Sequence, residues 1–224
     1  MIKIHPMPAP VDPALLAKLA ALEPADIGHV RYYGVVGGLQ AVIPDRRVVG
    51  TAVTVLAPPL DSALIPHVMG LLRPGDFLFI DRLGDRRHAS LGGVVALAAK
   101  LAGAVGVAVD GLVSDWDELR ERDLPVWCAG TTALISKALA AGGAINSPVV
   151  CGGVAVTPGD AVLADGSGIC VLPAGEIDEL AEAVAARKAE GKGRLARLMA
   201  GEKLGDLNGA SEKIARTLAA QKAP

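Results

Sequence analysis

The sequence predicts an α/β domain followed by a helical arm, and three observations carry that prediction. Hydrophobic residues make up 51% of the 224 but aromatics only 3%, so the core must be built from Ala, Val, Leu and Ile, a composition common where parallel strands are buried. The apolar runs VVGTAVTVLAP, FLFI and VGVAV are separated by segments of helical pattern, the strand-helix-strand order of a parallel pair. Finally, 27 glycines and 15 prolines cut the chain into short elements. The length suits one sizeable core, so we expect one α/β domain over residues 1–175 and a C-terminal helical arm over 176–224.

Each element has a local cause. Asp12-Pro13 ahead of ALLAKLAAL starts a helix, with Asp12 as N-cap and Pro13 at the first helical position; it should end near Glu23-Pro24. After a glycine-rich passage (Gly34, Gly37, Gly38), VVGTAVTVLAP reads as a strand closed by Pro58-Pro59. Asp61 to Leu72 reads as helix although Pro66 falls inside it. Pro74-Gly75-Asp76 turns the chain into FLFI, a buried strand ending at Asp81. A polar loop RLGDRRH follows, then a helix from about Leu91 to Leu101, the strand VGVAV and a loop after Asp110-Gly111. LPVWCAG and SPVVCGGVAV are expected strands, with Ile135 to Ala141 a helical candidate between them, and Pro158 to Pro173 reads as a β-hairpin. PGDFLFIDRLG and PGDAVLADGSG share one Pro-Gly-Asp frame, either two similar turn-plus-strand units or a chance match of turn chemistry. From Glu176 to Met199 acids come early and bases late, as the helix dipole favours, with breaks at Gly191 and Gly193; SEKIARTLAAQ is a further amphipathic helix. This arm is either a solvated tail or a surface that packs on the domain or on a neighbouring subunit.

Several function classes fall away. With 22 basic against 24 acidic side chains and no long basic run, the chain lacks the footprint of a nonspecific nucleic-acid binder. Cys128, Cys151 and Cys170 are odd in number and widely spaced, which argues for reduced buried thiols rather than a disulfide framework or zinc cage. The start, MIKIHPMPAP, has no run of roughly seven apolar residues such as a secretory segment needs, so the expected location is cytoplasmic. Leu91 to Val109 is interrupted by Lys100 and divided by Gly103 and Gly106, and reads as buried helix and strand, not a membrane span.

In open α/β sheets ligands bind beyond the carboxyl ends of the parallel strands, so the loops after FLFI and VGVAV are the informative ones. In the first, Ser90 as N-cap would leave the N–H groups of Gly92 and Gly93 open as an anion seat; alternatively the glycines only let helix and strand approach closely. Arg86 and Arg87 could clamp a bound carboxylate or pair with Asp85, and His88 is a base or phosphate carrier only if something orients it. In the second, Asp110, Asp115, Asp117 and Glu118 form an acidic run that invites Mg²⁺, or else an ordinary acidic first helical turn capped by Asp115.

The run GDFLFIDRLGDRRHASLGGVVALAAKLAGAVGVAVDGLVSDWDELRERDLPVWCAGTT, with PVVCGGVAVTPGDAVLADGSGICVLP after it, resembles the RraA-like family over roughly Gly50 to Pro173. That family takes in 4-hydroxy-4-methyl-2-oxoglutarate aldolases, oxaloacetate decarboxylases and a non-catalytic regulator of ribonuclease E, and its members often carry a demethylmenaquinone methyltransferase label. The resemblance implies a swivelling β/β/α-type single domain with flanking N- and C-terminal helices. It also implies a homotrimer that can pair into a hexamer, and active sites at subunit boundaries. Asp115 matches the aspartate that holds Mg²⁺ (or another divalent metal) and Glu118 the later acid, whereas Gly93 stands in place of a leading aspartate and Ser114 in place of a substrate-binding arginine. Lys137 falls near a substrate lysine. The implied activity is a Mg²⁺-dependent lyase that cleaves a small 2-keto acid through a pyruvate enolate.

In that reading Asp115, Arg87 and Lys137 are catalytic, Leu91, Gly92, Gly93 and Ser114 bind substrate, and Asp115 and Glu118 hold the metal. Losing the fixed positive donor at position 114 costs roughly 3 kcal/mol, about a hundredfold in rate, unless Arg86 or Arg87 reaches in. The alternative is a protein-binding ring with no chemistry, regulating a ribonuclease, which the missing arginine favours. Methyl transfer lacks its glycine-rich cofactor loop, and a phosphohistidine carrier using His88 lacks a visible partner domain. No nucleic acid or membrane is expected as a partner.

Overall fold

The computed structural model describes residues 1–221. A short strand β1 (Ile2–Ile4) leads into α1 (Pro13–Ala20), where Asp12 caps as expected by accepting the Ala14 N–H at 2.7 Å. That helix stops earlier than expected, and Pro24 starts a second one, α2 (Pro24–Val30). Two-residue strands β2 (Val35–Val36) and β3 (Gln40–Ala41) precede β4 (Val48–Leu56). The next helix, α3 (Leu64–Met69), is shorter than expected and holds Pro66 in its first turn, where the missing N–H costs little.

Then come β5 (Asp76–Asp81), α4 (Gly93–Leu101), β6 (Gly106–Val113), α5 (Trp116–Arg122) and β7 (Val126–Thr131). The strand β6 runs on through Asp110-Gly111, which the sequence assigned to a loop, because Leu112 and Val113 still pair with Gly130 and Thr131 after a register shift. Residues 135–141 form no helix. They are extended against two neighbouring loops: the Ser136 N–H donates to the Ala89 carbonyl at 3.0 Å and the Lys137 N–H to the Leu60 carbonyl at 2.7 Å.

The remaining strands are β8 (Gly143–Ile145), β9 (Val149–Cys151), β10 (Val154–Val156), β11 (Ala161–Asp165) and β12 (Gly168–Leu172), of which β9 and β10 pair only with each other. The expected hairpin is β11 with β12, paired from Ala161–Leu172 to Asp165–Gly168. Helices α6 (Ile177–Glu190), α7 (Arg194–Met199), α8 (Leu204–Leu207) and α9 (Ala210–Gln221) follow. Gly193 with φ 81° breaks the first two apart, as the sequence indicated.

Four parallel strands, β4-β5-β6-β7, form the centre of the main sheet; antiparallel β11, β12 and β2 extend one side and β3 closes the other. Strand β4 changes partner along its length, pairing antiparallel with β11 at Val48–Thr51 and with β8 at Val55–Leu56. Alternation along β5 sets the layers. Leu78 and Ile80 face a core with Val68, Ala96 and Leu119 from α3, α4 and α5. Phe77 and Phe79 face the opposite side, with Trp127 and the small β9-β10 hairpin. A third cluster packs Leu19, Ile27 and Leu180 of α1, α2 and α6 on Leu163 and Leu172. The result is a mixed α/β domain with a central sheet and flanking helices.

The chain divides into compact units 1–184 and 185–224, with the division inside α6. Among the described residues no helix is long and apolar enough to cross a membrane, and the apolar stretch at Leu91 to Val109 is α4 and the first half of β6.

Candidate active site at the carboxyl ends of the parallel strands

The chain leaves β6 through Ser114, which is buried, and Asp115, which adopts the left-handed conformation (φ 55°, ψ 47°) that non-glycine residues rarely occupy. This reversal starts α5, and the Leu119 N–H donates to the Asp115 carbonyl at 2.9 Å. It also brings the Asp115 carboxylate to the first turn of α4. There Oδ2 accepts the Gly93 N–H at 3.2 Å and the Ser114 hydroxyl at 3.1 Å. Both contacts fall on Oδ2; Oδ1 makes no hydrogen bond among the described residues.

Why glycine occupies 92 and 93 is now visible. A Cβ on Gly92 would run into Asp115 Oδ2 and lie 2.7 Å from Ser114 Oγ, and one on Gly93 would run into Glu118 Oε2. Close approach to α5 is therefore a role the glycines do perform, and Asp115 already takes the Gly93 N–H. The N-cap of α4 is Gly92, not Ser90, because the Ser90 backbone N–H still donates to the Leu112 carbonyl of β6. The Ser90 residue is only 6% exposed, and its hydroxyl has no partner among the described residues.

A cleft of about 340 Å³ opens beside these groups. The hydroxyl residues Ser62, Ser90, Ser114 and Ser136 line it together with Asp115. Its walls are apolar: Pro66, Leu91, Val94, Val95 and Ile135. Of the residues singled out in the sequence, Leu91, Gly92, Gly93, Ser114, Asp115 and Glu118 come together at the junction of α4, β6 and α5. Glu118 lies over Gly93 and pairs with Arg122 at 3.4 Å.

Others are not brought there. Arg86 pairs with Asp110, whose second oxygen accepts the Gly152 N–H at 2.9 Å and so ties the β9-β10 hairpin to β6. Asp81 does the same from β5, accepting the Val150 N–H at 3.1 Å. Arg87 is exposed and makes no ion pair among the described residues, so neither arginine supplies the positive donor beside Asp115. Lys137 is exposed and outside the cleft lining. The acidic run is thereby dispersed, and no group of three or more metal-ligating side chains occurs among the described residues. Two carboxylates, Asp115 over Gly92 and Glu118 over Gly93, remain at the first turn of α4, and a Mg²⁺ ion characteristically takes one or two carboxylates and keeps its waters.

Sequence reasoning missed the network beneath the cleft. Arg82 is fully buried; its guanidinium donates to the Asp61 carbonyl at 2.6 Å and to Asp85 Oδ2 at 3.2 Å. The Asp61 carboxylate gathers the N–H groups of Ala63, Leu139 and Ala141. Asp85 accepts the N–H groups of Leu60, Arg87 and His88, and sits 3.0 Å from His88 Nδ1. His88 therefore does have an orienting partner. Burial alone would push both carboxyls up, but the donated hydrogen bonds outweigh it and hold Asp85 well below the usual carboxylate range, and Asp61 below it as well. The one signal in the sequence was the pair of aspartates in the loops after two strands.

A larger cavity, of about 580 Å³, lies among Arg31, Tyr33, Gly153 and Thr157 and shares no residue with this cleft.

Comparison with known proteins bears on the same segment. A relative from Thermus thermophilus named 4-hydroxy-4-methyl-2-oxoglutarate aldolase is 39% identical over 114 residues, 50% of this chain and 68% of the relative. The solved structure of an RNA-processing inhibitor RraA from Thermus thermophilus is 32% identical, with a TM-score of 0.58 over 62% of this chain and 84% of its own. Streptomyces coelicolor RraAS2, described as an unusual member of the RNase ES inhibitor RraA protein family, superposes with a TM-score of 0.71 at 28% identity, covering 84% of this chain and 98% of that one. The family model described as RraA-like, Aldolase/RraA, matches residues 25–171, and the chain belongs to that family.

Proposed function

We propose that the protein is a Mg²⁺-dependent lyase that cleaves a small 2-keto acid of the 4-hydroxy-4-methyl-2-oxoglutarate or oxaloacetate type, working as a homotrimer or hexamer. The observation that carries this reading is the Asp115 carboxylate, fixed by Ser114 and Gly93 at the mouth of a serine-lined cleft. Breaking the bond next to a 2-keto acid leaves negative charge on the keto oxygen, and a bound divalent ion supplies the charge that neutralises it. Asp115, with Glu118, would hold that ion. The Asp115 carboxylate costs no reorganisation during the reaction, because its two hydrogen bonds and the left-handed turn already set its position. The substrate carboxylate would lie at the start of α4, against the backbone of Leu91 and Gly92. Arg87 and Lys137 stand outside the cleft, so a part for either requires its movement or a neighbouring subunit.

The test is pyruvate release from both substrates with and without Mg²⁺, beside Asp115→Ala. The expected result is Mg²⁺-dependent release that drops about a hundredfold or more in the variant, in line with losing one fixed charge-stabilising group. Equal background rates in both proteins would refute the reading. A second reading, a ring that binds a ribonuclease, is favoured by one observation: Ser114 stands where the aldolases' arginine is expected, and neither Arg86 nor Arg87 replaces it.

A further inference from the structure

The cavity of about 580 Å³, separate from the Asp115 cleft, has aromatic walls that the rest of the surface lacks. The chain has only two tyrosines, Tyr32 and Tyr33, and both line this cavity. They are 94% and 67% exposed, whereas Phe77, Phe79 and Trp127 are buried and Trp116 is partly buried. Neither tyrosine ring is spent on the core, so each keeps an electron-rich face for a ligand. Tyr33 already holds one cation: the Arg31 guanidinium lies over its ring, 3.9 Å from the centroid, and pairs with Glu176 at 2.6 Å. Asp160, also in the lining, is not matched in this way. Its Oδ2 accepts the Thr157 N–H at 2.8 Å, while its Oδ1 stays accessible and makes no hydrogen bond among the described residues. Burial, with the Glu176 charge adding to it, pushes the Asp160 carboxyl up against the pull of the Thr157 N–H, as befits a carboxylate short of positive charge. A positive group at Oδ1 would relieve both costs. The adjacent tyrosine decides which kind of cation fits, because a hydrocarbon-bearing ammonium stacks on a ring and a hydrated metal ion does not.

From these observations we infer that this cavity binds a small organic cation, a primary ammonium on an apolar body, with the ammonium at Asp160 and the body against Tyr32 and Val35. The site shares no residue with the Asp115 cleft and does not depend on the lyase reading.

The test uses three ligands of similar size and different charge: 2-phenylethylamine, protonated at neutral pH, the uncharged 2-phenylethanol, and the anion 3-phenylpropanoate. Binding of each to the full-length protein is measured by titration calorimetry. The amine is expected to bind at least about tenfold tighter than the other two, the difference that a hydrogen bond to a charged acceptor supplies. In Asp160→Asn, where the amide oxygen still accepts the Thr157 N–H, the advantage of the amine over the alcohol is expected to shrink to about twofold or less. Tyr32→Ala alters a fully exposed side chain, so the melting temperature is expected to stay unchanged while amine binding weakens about three- to fivefold. That second variant carries the test if Asp160→Asn does not fold. Alcohol or propanoate binding as tight as that of the amine overturns the inference, and so does failure of all three to bind at millimolar concentration. A folded Asp160→Asn that keeps the full preference for the amine, or a Tyr32→Ala with undiminished amine affinity, overturns it as well.

Discussion

Gly93 and Glu118 behave as one unit: the absent Cβ at 93 is the space that Glu118 fills. Restoring an aspartate at 93, where relatives are expected to carry one, therefore collides with Glu118 unless that side chain gives way. Gly93→Asp alone is expected to lower the melting temperature by several degrees, a change of about 1–3 kcal/mol typical of overpacking, and Gly93→Asp with Glu118→Ala to recover most of the loss. Thermal unfolding of the three proteins checks it; additive losses would mean that the two positions do not compete. Asp115 is a comparable case of local strain held by its surroundings, since its left-handed backbone is maintained by the α5 start and by two hydrogen bonds to its own side chain.

Elements built from local chemistry were legible in the sequence. Asp12 caps α1 because its side chain reaches an N–H two residues away, and the β11-β12 hairpin follows from turn residues at both ends. Replacing Asp12 by Ala should cost about 1 kcal/mol, measured by denaturant unfolding, because one N–H of the first turn loses its acceptor. What the sequence concealed is non-local. The extension of β6 past Asp110 depends on β7 pairing beyond a register shift. The segment 135–141 carries a helical pattern, yet its amides are claimed by Ala89, Leu60 and the Asp61 carboxylate, the last 78 and 80 residues away in the chain. At the site, Asp115, Glu118 and the two glycines could be read from spacing. The cleft's serines from other loops, and the engagement of Arg86 by Asp110, could not.

At the scale of the whole molecule the buried network contributes to how stability depends on pH. The Asp85 carboxyl titrates lower in the folded state than the roughly 3.9 of an unfolded aspartate, so its contribution is present above that value and is lost as acid protonates it. Asp85→Asn should be several kcal/mol less stable at neutral pH, because it leaves the buried Arg82 charge uncompensated, and its stability should fall less steeply than the parent's between pH 4 and pH 2. Parallel pH profiles would show that Asp85 is not the group that matters. Arg82 has a wider consequence. A single guanidinium fastens the chain segments that follow β4 and β5, and Asp61 carries that hold on to the segment after β7. Anyone transplanting a loop from a cousin to retool the cleft must bring Asp61, Arg82 and Asp85 together, or three walls slacken at once.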